Sequence, residues 1–395
     1  MEGKIRKIFP GANTANGSFN FFDNIIQGDI NRIFCFKGGP GVGKSSLMKK
    51  IAQEFIDRGY DVELHHCPSD PSSLDALLIK KLGVVLLDGT SPHIVDPKNP
   101  GAVDEIVNLG EFWNVENLEK NKDEIIKVGK DISASFRRAY KFLKAAEPIY
   151  FDIEEKYSNS MNFGKVNLLV DEFIEKLFKK TSNSGQYKKE RHLFGTAITP
   201  IGHIDYTDSI LSQVKKVYYL DGEIGTGKTT FLTKVYEKAV QKGMSVEVYH
   251  YPLIKEKIET IIIKDLDIAI TVSRIFEDRE KIDLNQFIDK DKLSKYQEEI
   301  DLLEKILKVL EEGKSARTID FNEDEQVLVK DMFLLTTKPI LYVANVSEEQ
   351  LEDAENDTLV KQVKEYAEKE KAEVIPLCVK IEEELSGLDD SDKKE

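Results

Sequence analysis

The stretch Phe34-Cys35-Phe36-Lys37-Gly38-Gly39-Pro40-Gly41-Val42-Gly43-Lys44-Ser45 constrains the fold more than any other part of the chain. An apolar run passes into GxxxxGKS, and Ser46-Leu47-Met48 then opens an amphipathic helix. Glycines tolerate positive φ, so successive backbone N–H groups can turn onto one point at a helix N-terminus, where the dipole favours negative charge. This is the pattern of a phosphate-binding loop. Lys44 is placed to reach β- and γ-phosphates and Ser45 to ligate Mg²⁺, while Gly38, Gly39, Gly41, Gly43 and Ser46 form the cradle.

The pattern recurs at Val217-Tyr218-Tyr219-Leu220-Asp221-Gly222-Glu223-Ile224-Gly225-Thr226-Gly227-Lys228-Thr229. Here Gly222, Gly225, Gly227, Lys228, Thr229 and Thr230 are the phosphate-binding candidates, with Thr229 on the metal. A shift of 184 residues aligns Arg32–Gly89 with Lys216–Ser273 without a gap. Identities outside the loops include Val62/Val246, Glu63/Glu247, His66/His250, Pro68/Pro252 and Lys80/Lys264. Upstream, FPGANTANG (9–17) resembles FGTAITPIG (194–202). Each repeat reads as strand, loop, helix, Gly turn, strand ending in His-x-Pro, helix, apolar strand. The expected class is α/β: two tandem P-loop NTPase units with parallel sheets and right-handed crossovers.

After the first repeat, 91–114 is rich in Pro, Gly, Asp and Asn and reads as a structured loop. A helix is expected from about Asn117 to Ala146 and another from about Asn162 to Lys180, with Pro148 turning the chain between them. This is a helical insertion in the first unit. Leu168-Leu169-Val170-Asp171-Glu172 looks like an acidic-pair strand motif, but its apolar neighbours recur at helical spacing, so it reads as helix. Thr181–Gln186 reads as a linker. The expected domains are 1–183, 184–300 and 301–395.

A P-loop enzyme needs a carboxylate at the end of a neighbouring buried strand. Val84-Val85-Leu86-Leu87-Asp88 supplies it, which makes Lys44 and Asp88 the catalytic candidates and Ser45, Asp88 and Thr229 the metal candidates. The same alignment sets Val272 against Asp88, so hydrolysis is expected at the first loop and mainly binding at the second. Asp96, Glu105 and Glu111 are candidates for activating water. His66 and His250 end strands at the edge where α/β sheets take ligands, and read either as hydrogen-bonding groups or as substrate sensors. Arg137 and Arg138 read as a solvated helix face, with a lid role as the alternative.

With Lys+Arg 56 against Asp+Glu 71, the net charge is -15. That balance argues against a general nucleic-acid or anionic-membrane surface. Three dispersed cysteines, Cys35, Cys67 and Cys378, read as reduced thiols. No apolar run approaches membrane-span length, so a cytoplasmic location and no membrane partner are expected. No protein partner is named by the sequence.

Residues from Met1 to about Ile300 resemble a family of bacterial tandem-P-loop ATPases of unassigned role. The resemblance rests on both loops, FPGANTANG, HHCPSDPSSLDALL, DGTSPHIVDPKNPGAVDEIVNLGEFW and SFRRAYKFLKAAEP. It implies ATP with Mg²⁺ as cofactors, and ATP hydrolysis. From about Asp301 the chain resembles the YchF group of Obg-like ATPases, through DLLEKILKVLEEGKSARTIDFNEDEQVLVKDMFLLTTKPILYVANVSEEQ and AEVIPLCVKIEEEL. In that group Asn345 and Glu348 match an Asn-x-x-Glu base-reading motif, which implies adenine preference, and Cys378-Val379-Lys380 lies where a loop closes over the base. The likeness does not extend to that group's own P-loop, switch segments or metal-holding acid, and implies a partial G-domain-like α/β tail. A P-loop kinase acting on a small molecule, or a nucleotide-responsive module with negligible turnover, are the alternatives to an ATPase.

Overall fold

The computed structural model describes residues 2–26, 28, 30–90, 95–183, 185–188 and 190–386. Parts of the expected loop and linker, Ser91 to Ile94 and Ser184, lie outside the described residues. Two compact units are present, Met1–Glu304 and Lys305–Glu395.

The first unit begins with β1 (Ile5–Ile8), β2 (Gly11–Thr14), β3 (Gly17–Asn20), β4 (Arg32–Lys37), α1 (Lys44–Asp57), β5 (Val62–His66), β6 (Leu74–Ile79), β7 (Val84–Asp88) and β8 (Asp104–Asn108). α2 (Val115–Lys120), α3 (Lys122–Asn159) and α4 (Phe163–Phe178) follow. The plan then repeats as β9 (Arg191–Leu193), β10 (Thr196–Thr199), β11 (Gly202–Asp205), α5 (Thr207–Leu211), β12 (Lys216–Asp221), α6 (Lys228–Gln241), β13 (Val246–His250), β14 (Ile258–Ile263), β15 (Ile268–Thr271) and β16 (Glu280–Asp283). α7 (Lys290–Leu293) and α8 (Gln297–Glu311) follow, and the boundary between the two units falls inside α8.

The architecture is mixed α/β. One six-stranded sheet runs β1-β5-β6-β7-β4-β8, and the other runs β9-β13-β14-β15-β12-β16 when read from the corresponding edge. The expectation of parallel sheets needs correction: β6 is antiparallel to β5 and β7, and β14 to β13 and β15. The cause is local. Leu74–Ile79 is a fully buried run of six, closed by Gly83 in the left-handed region at φ 61°, where the sequence reading places a helix. Such a bounded apolar run is long enough for a strand and too short for a helix, and its brief connections allow only antiparallel neighbours. The strands that carry the glycine-rich loops do lie between parallel partners, β4 between β7 and β8 and β12 between β15 and β16.

Two further expectations change. Residues 91–114 are not wholly loop, because Asp104–Asn108 pairs in parallel with β4 as an edge strand. Pro148 does not turn the chain but sits inside the 38-residue α3. Proline in a helix interior costs about 3 kcal/mol. Leu143, Ala146, Ile149, Ile153 and Tyr157 are buried in one phase on both sides of it, and this continuous packing holds the helix together. Residues 168–172 are helical, within α4, whose Val166, Val170 and Phe178 join the core around α6.

The repeats meet edge to edge. Phe9 and Phe194 exchange reciprocal backbone hydrogen bonds of 3.0 Å, which relates the two halves by a local pseudo-two-fold axis. Beside it Arg6 and Arg191 each bind both Glu63 and Glu247. Lys80 adds a 2.6 Å contact to Glu63, and Lys264 one of 2.7 Å to Glu247. Burial would raise both carboxyls, but the two arginines and the lysine override it and hold them well below the usual range.

The second unit contains α9 (Glu323–Asp331), β17 (Leu341–Asn345), α10 (Glu348–Leu351), α11 (Thr358–Lys369), β18 (Glu373–Leu377) and α12 (Val379–Ser386). β17 and β18 form a two-stranded parallel sheet, with Leu341, Val343 and Ile375 about half exposed on one face. No helix among the described residues is long and apolar enough to cross a membrane.

Candidate functional site

β4 delivers Gly38 to the C-terminal edge of the first sheet, and α1 starts at Lys44. Gly41 and Gly43 have φ 83° and 89°, and a Cβ on either would meet nothing within 4 Å. Conformation, then, and not crowding, demands glycine there. The loop mouth is open at both. Lys44 Nζ donates to the carbonyls of Gly38 and Gly39 and stands 3.4 Å from Asp88 Oδ2. Asp88 Oδ1 accepts from the Thr90 N–H at 2.9 Å, and Ser45 Oγ accepts from the Leu74 N–H at 3.0 Å. Lysine and hydroxyl at the start of α1 and the carboxylate at the end of β7 are therefore brought to one sheet edge. A hydroxyl and a carboxylate oxygen beside an open loop form the hard-oxygen set that suits Mg²⁺, so the residues fit the expected group.

Of the water-activating candidates, Asp96 binds Lys37 Nζ at 3.0 Å, while Glu105 is aligned with Phe34, back from the loop edge. Sequence reading missed Asp75. Ala76 is in register with Leu87, so Asp75 lies next to Asp88 on the adjoining strand. Burial, with help from the Asp88 charge and against a Cys67 hydrogen bond, pushes the Asp75 carboxyl up to about 7. The Cys67 thiol is in turn pushed up to about 12, by burial first and then by Asp75. A carboxyl tuned to neutrality is matched to proton transfer at that pH. The signal was present in the sequence, since the 184-residue shift pairs Asp75 with Glu259, acid with acid.

At the second loop Lys228 Nζ donates to the carbonyls of Gly222 and Glu223. Burial lowers the Lys228 ammonium, against the lift of Glu223, Asp221 and Glu259. Val272 does take the place of Asp88, but carboxylates are not absent here. The Val272 N–H donates to the Glu259 carbonyl, and Glu259 Oε2 accepts from Thr196 at 2.6 Å. Asp267 lies at the far end of β15, at φ 54°, where it accepts from the Lys215 N–H. Thr229 and Thr230 line a cavity of about 120 Å³ with Lys228, Lys257, Tyr150, Glu154, Ser158 and Phe163.

His66 Nδ1 donates to the Pro71 carbonyl at 2.8 Å. His250 Nε2 lies 2.9 Å from His192 Nδ1. Arg137 and Arg138 are exposed on α3, and Arg138 stacks over Phe142. In the second unit Asn345 Oδ1 accepts from the Val379 N–H at 3.1 Å, and Lys380 Nζ reaches Glu348 at 3.2 Å. The motif and the loop facing it thus line one open depression, with Ser347 and Cys378.

No family model matches the chain. It is 46% identical over 96 residues to a ribosome-binding ATPase YchF of Bacillus subtilis (strain 168), covering 24% of this chain and 26% of that protein. A YchF of Pasteurella multocida (strain Pm70) is 44% identical over 97 residues, covering 25% and 26%. Obg-like ATPase 1 of Saccharomyces cerevisiae is 36% identical over 100 residues, or 25% of each chain. The chain spans about a quarter of the length of the curated relatives it matches. These relatives are ATPases by name.

Proposed function

We propose that the protein binds ATP with Mg²⁺ through two P-loops, and that it hydrolyses ATP at the first. The observation that carries this reading is the meeting of Lys44, Ser45 and Asp88 around an open glycine loop. Nucleotide phosphates would displace the loop carbonyls as partners of Lys44 Nζ, and the N–H groups of Gly41, Gly43, Lys44, Ser45 and Ser46 would face them. Ser45 and Asp88 would hold Mg²⁺, which supplies charge neutralisation at the phosphates. The second loop, with Val272 in place of Asp88, is mainly a binding site through Lys228, Thr229 and Thr230. Asn345 and Glu348 face the Val379–Lys380 segment as an adenine-reading motif would. Ribosome association belongs to the relatives' names, and nothing in the tail's geometry carries it over.

The test is Mg-ATP turnover and bound-nucleotide stoichiometry in three variants. Lys44→Ala and Asp88→Asn should each lower turnover by about 10²-fold or more, whereas Lys228→Ala should lower stoichiometry and keep most turnover. Loss of hydrolysis in Lys228→Ala alone would reverse the assignment. A labelled metabolite in place of released phosphate would instead favour a kinase.

A further inference from the structure

The two loops differ in what stands over them. At the first, a Cβ added to Gly41 or Gly43 meets open space. At the second, a Cβ on Gly225 would lie 2.4 Å from the Glu154 carbonyl oxygen, and one on Gly227 would lie 3.4 Å from the Phe163 ring. Ser158 Oγ donates to the Gly225 carbonyl at 3.1 Å, and Glu154 holds Lys257 Nζ at 2.5 Å. Lys257 also stands 5.0 Å from the Tyr150 ring centre. The last three turns of α3, a helix of the first repeat's insertion, are therefore seated on the glycine loop of the second repeat. The space left is about 120 Å³, well below the roughly 300 Å³ at which small-molecule pockets begin. An inorganic phosphate fits such a space, and a nucleoside triphosphate does not.

We propose that the C-terminal end of α3 is a latch on the second loop, so that α3 docking and ATP binding through Lys228 exclude one another. The inference rests on the reading of the second loop as a nucleotide site, and it adds the regulation of that site. α3 is suited to the role because it is one rigid element. Its 38 residues extend about 57 Å at 1.5 Å per residue. It is continued backwards, through α2, to Trp113, whose ring lies 3.3 Å from where a Cβ on Gly39 of the first loop would be. The segment from Trp113 through α2 and α3 thus starts beside one glycine loop and ends on the other. The contacts made over the loop itself are the Ser158 hydroxyl bond, the Glu154–Lys257 ion pair and the backbone approach to Gly225, while Ile153, Tyr157 and the Lys156–Glu299 ion pair hold the same turns to the rest of the unit and set the cost of opening. ATP binding at the second loop lifts residues 150–159, and the differential affinity of ATP for the open state sets how far.

The experiment uses the full-length chain with Lys44→Ala, which silences the first loop, and compares it with the same protein carrying Glu154→Ala and Ser158→Ala. Mg-ATP binding is measured by equilibrium dialysis, and amide hydrogen exchange is followed across 143–159. A Lys228→Ala control assigns the bound nucleotide to the second loop. The latch requires about tenfold tighter binding once the two side-chain contacts are removed, and faster exchange at 150–159 when ATP is added to the Lys44→Ala protein. Equal affinity in both proteins, with exchange across α3 unchanged by ATP, would overturn the latch alone. No ATP bound to either protein, with circular dichroism unchanged, would overturn the nucleotide reading of the second loop on which it depends.

Discussion

Two buried titratable side chains near the sheet edges should give the protein opposite responses to pH. His65 is fully buried and lies 3.8 Å from a Glu63 oxygen, and burial drives its imidazolium down to about 3. Its folded pKa is below the unfolded value, so the unfolded chain takes up the proton first and stability is lost as pH falls through 6.5. Between pH 7 and pH 5 this costs about 2 kcal/mol. His65→Leu should flatten the urea midpoint over that interval, and an undiminished slope would show that other groups carry the acid sensitivity. Asp75 has the opposite sign. Its folded pKa is raised by burial, so ionisation is resisted in the fold and stability is lost as pH rises from about 4 to about 7. Asp75→Asn should stabilise the protein by roughly 3–4 kcal/mol at pH 8 and by less than half of that at pH 5. Equal gains at both pH values would mean that the carboxyl is not the cause.

At the level of elements, the sequence made the glycine loops and their helices plain, because φ-demanding glycines and an amphipathic period are local signals. α1 and α6 begin at the lysines of the two motifs. β6 was misread because Leu-Asp-Ala-Leu-Leu-Ile favours helix by propensity, and only its burial between two strands makes it β. That misreading also hid Asp75, which as a helical residue would have had no place beside Asp88. Pro148 was misread for the complementary reason: a local breaker was outweighed by the buried stripe that continues on both sides of it. The seating of α3 on Gly225 has no local signal, since it joins residues about seventy positions apart in different repeats. Arg137 and Arg138 remain on the exposed part of that helix. If they serve as a lid, either alanine variant should lower turnover by about 10³-fold with ATP affinity kept; a solvated face predicts no change in turnover.

For the whole molecule, the duplication and the change of character near residue 300 follow different logics. The repeats are tied by charges each half contributes in equal measure, so the joint should be costly to break from either side. Glu63→Gln leaves two buried guanidinium groups short of a partner and should cost about 3–5 kcal/mol. Lys80→Met removes a half-exposed partner of the same carboxylate and should cost under about 1 kcal/mol. Similar losses in the two, measured by urea unfolding, would deny that burial governs the cluster. The second unit is organised without any of these groups: Asn345 spends its carbonyl on the Val379 N–H, and Lys380 pairs with Glu348, all inside 305–395. It contains no glycine-rich phosphate loop among the described residues, so its motif has no phosphate site of its own to serve. Asn345→Ala in the full chain should therefore leave Lys44-dependent ATP affinity within about twofold, as expected for independent sites. Isothermal titration of the Lys228→Ala protein with and without Asn345→Ala measures this directly. A tenfold weakening on loss of the Asn345 amide would mean that the tail reads the base of the nucleotide whose phosphates Lys44 holds, and the two units would then have to be treated as parts of one site.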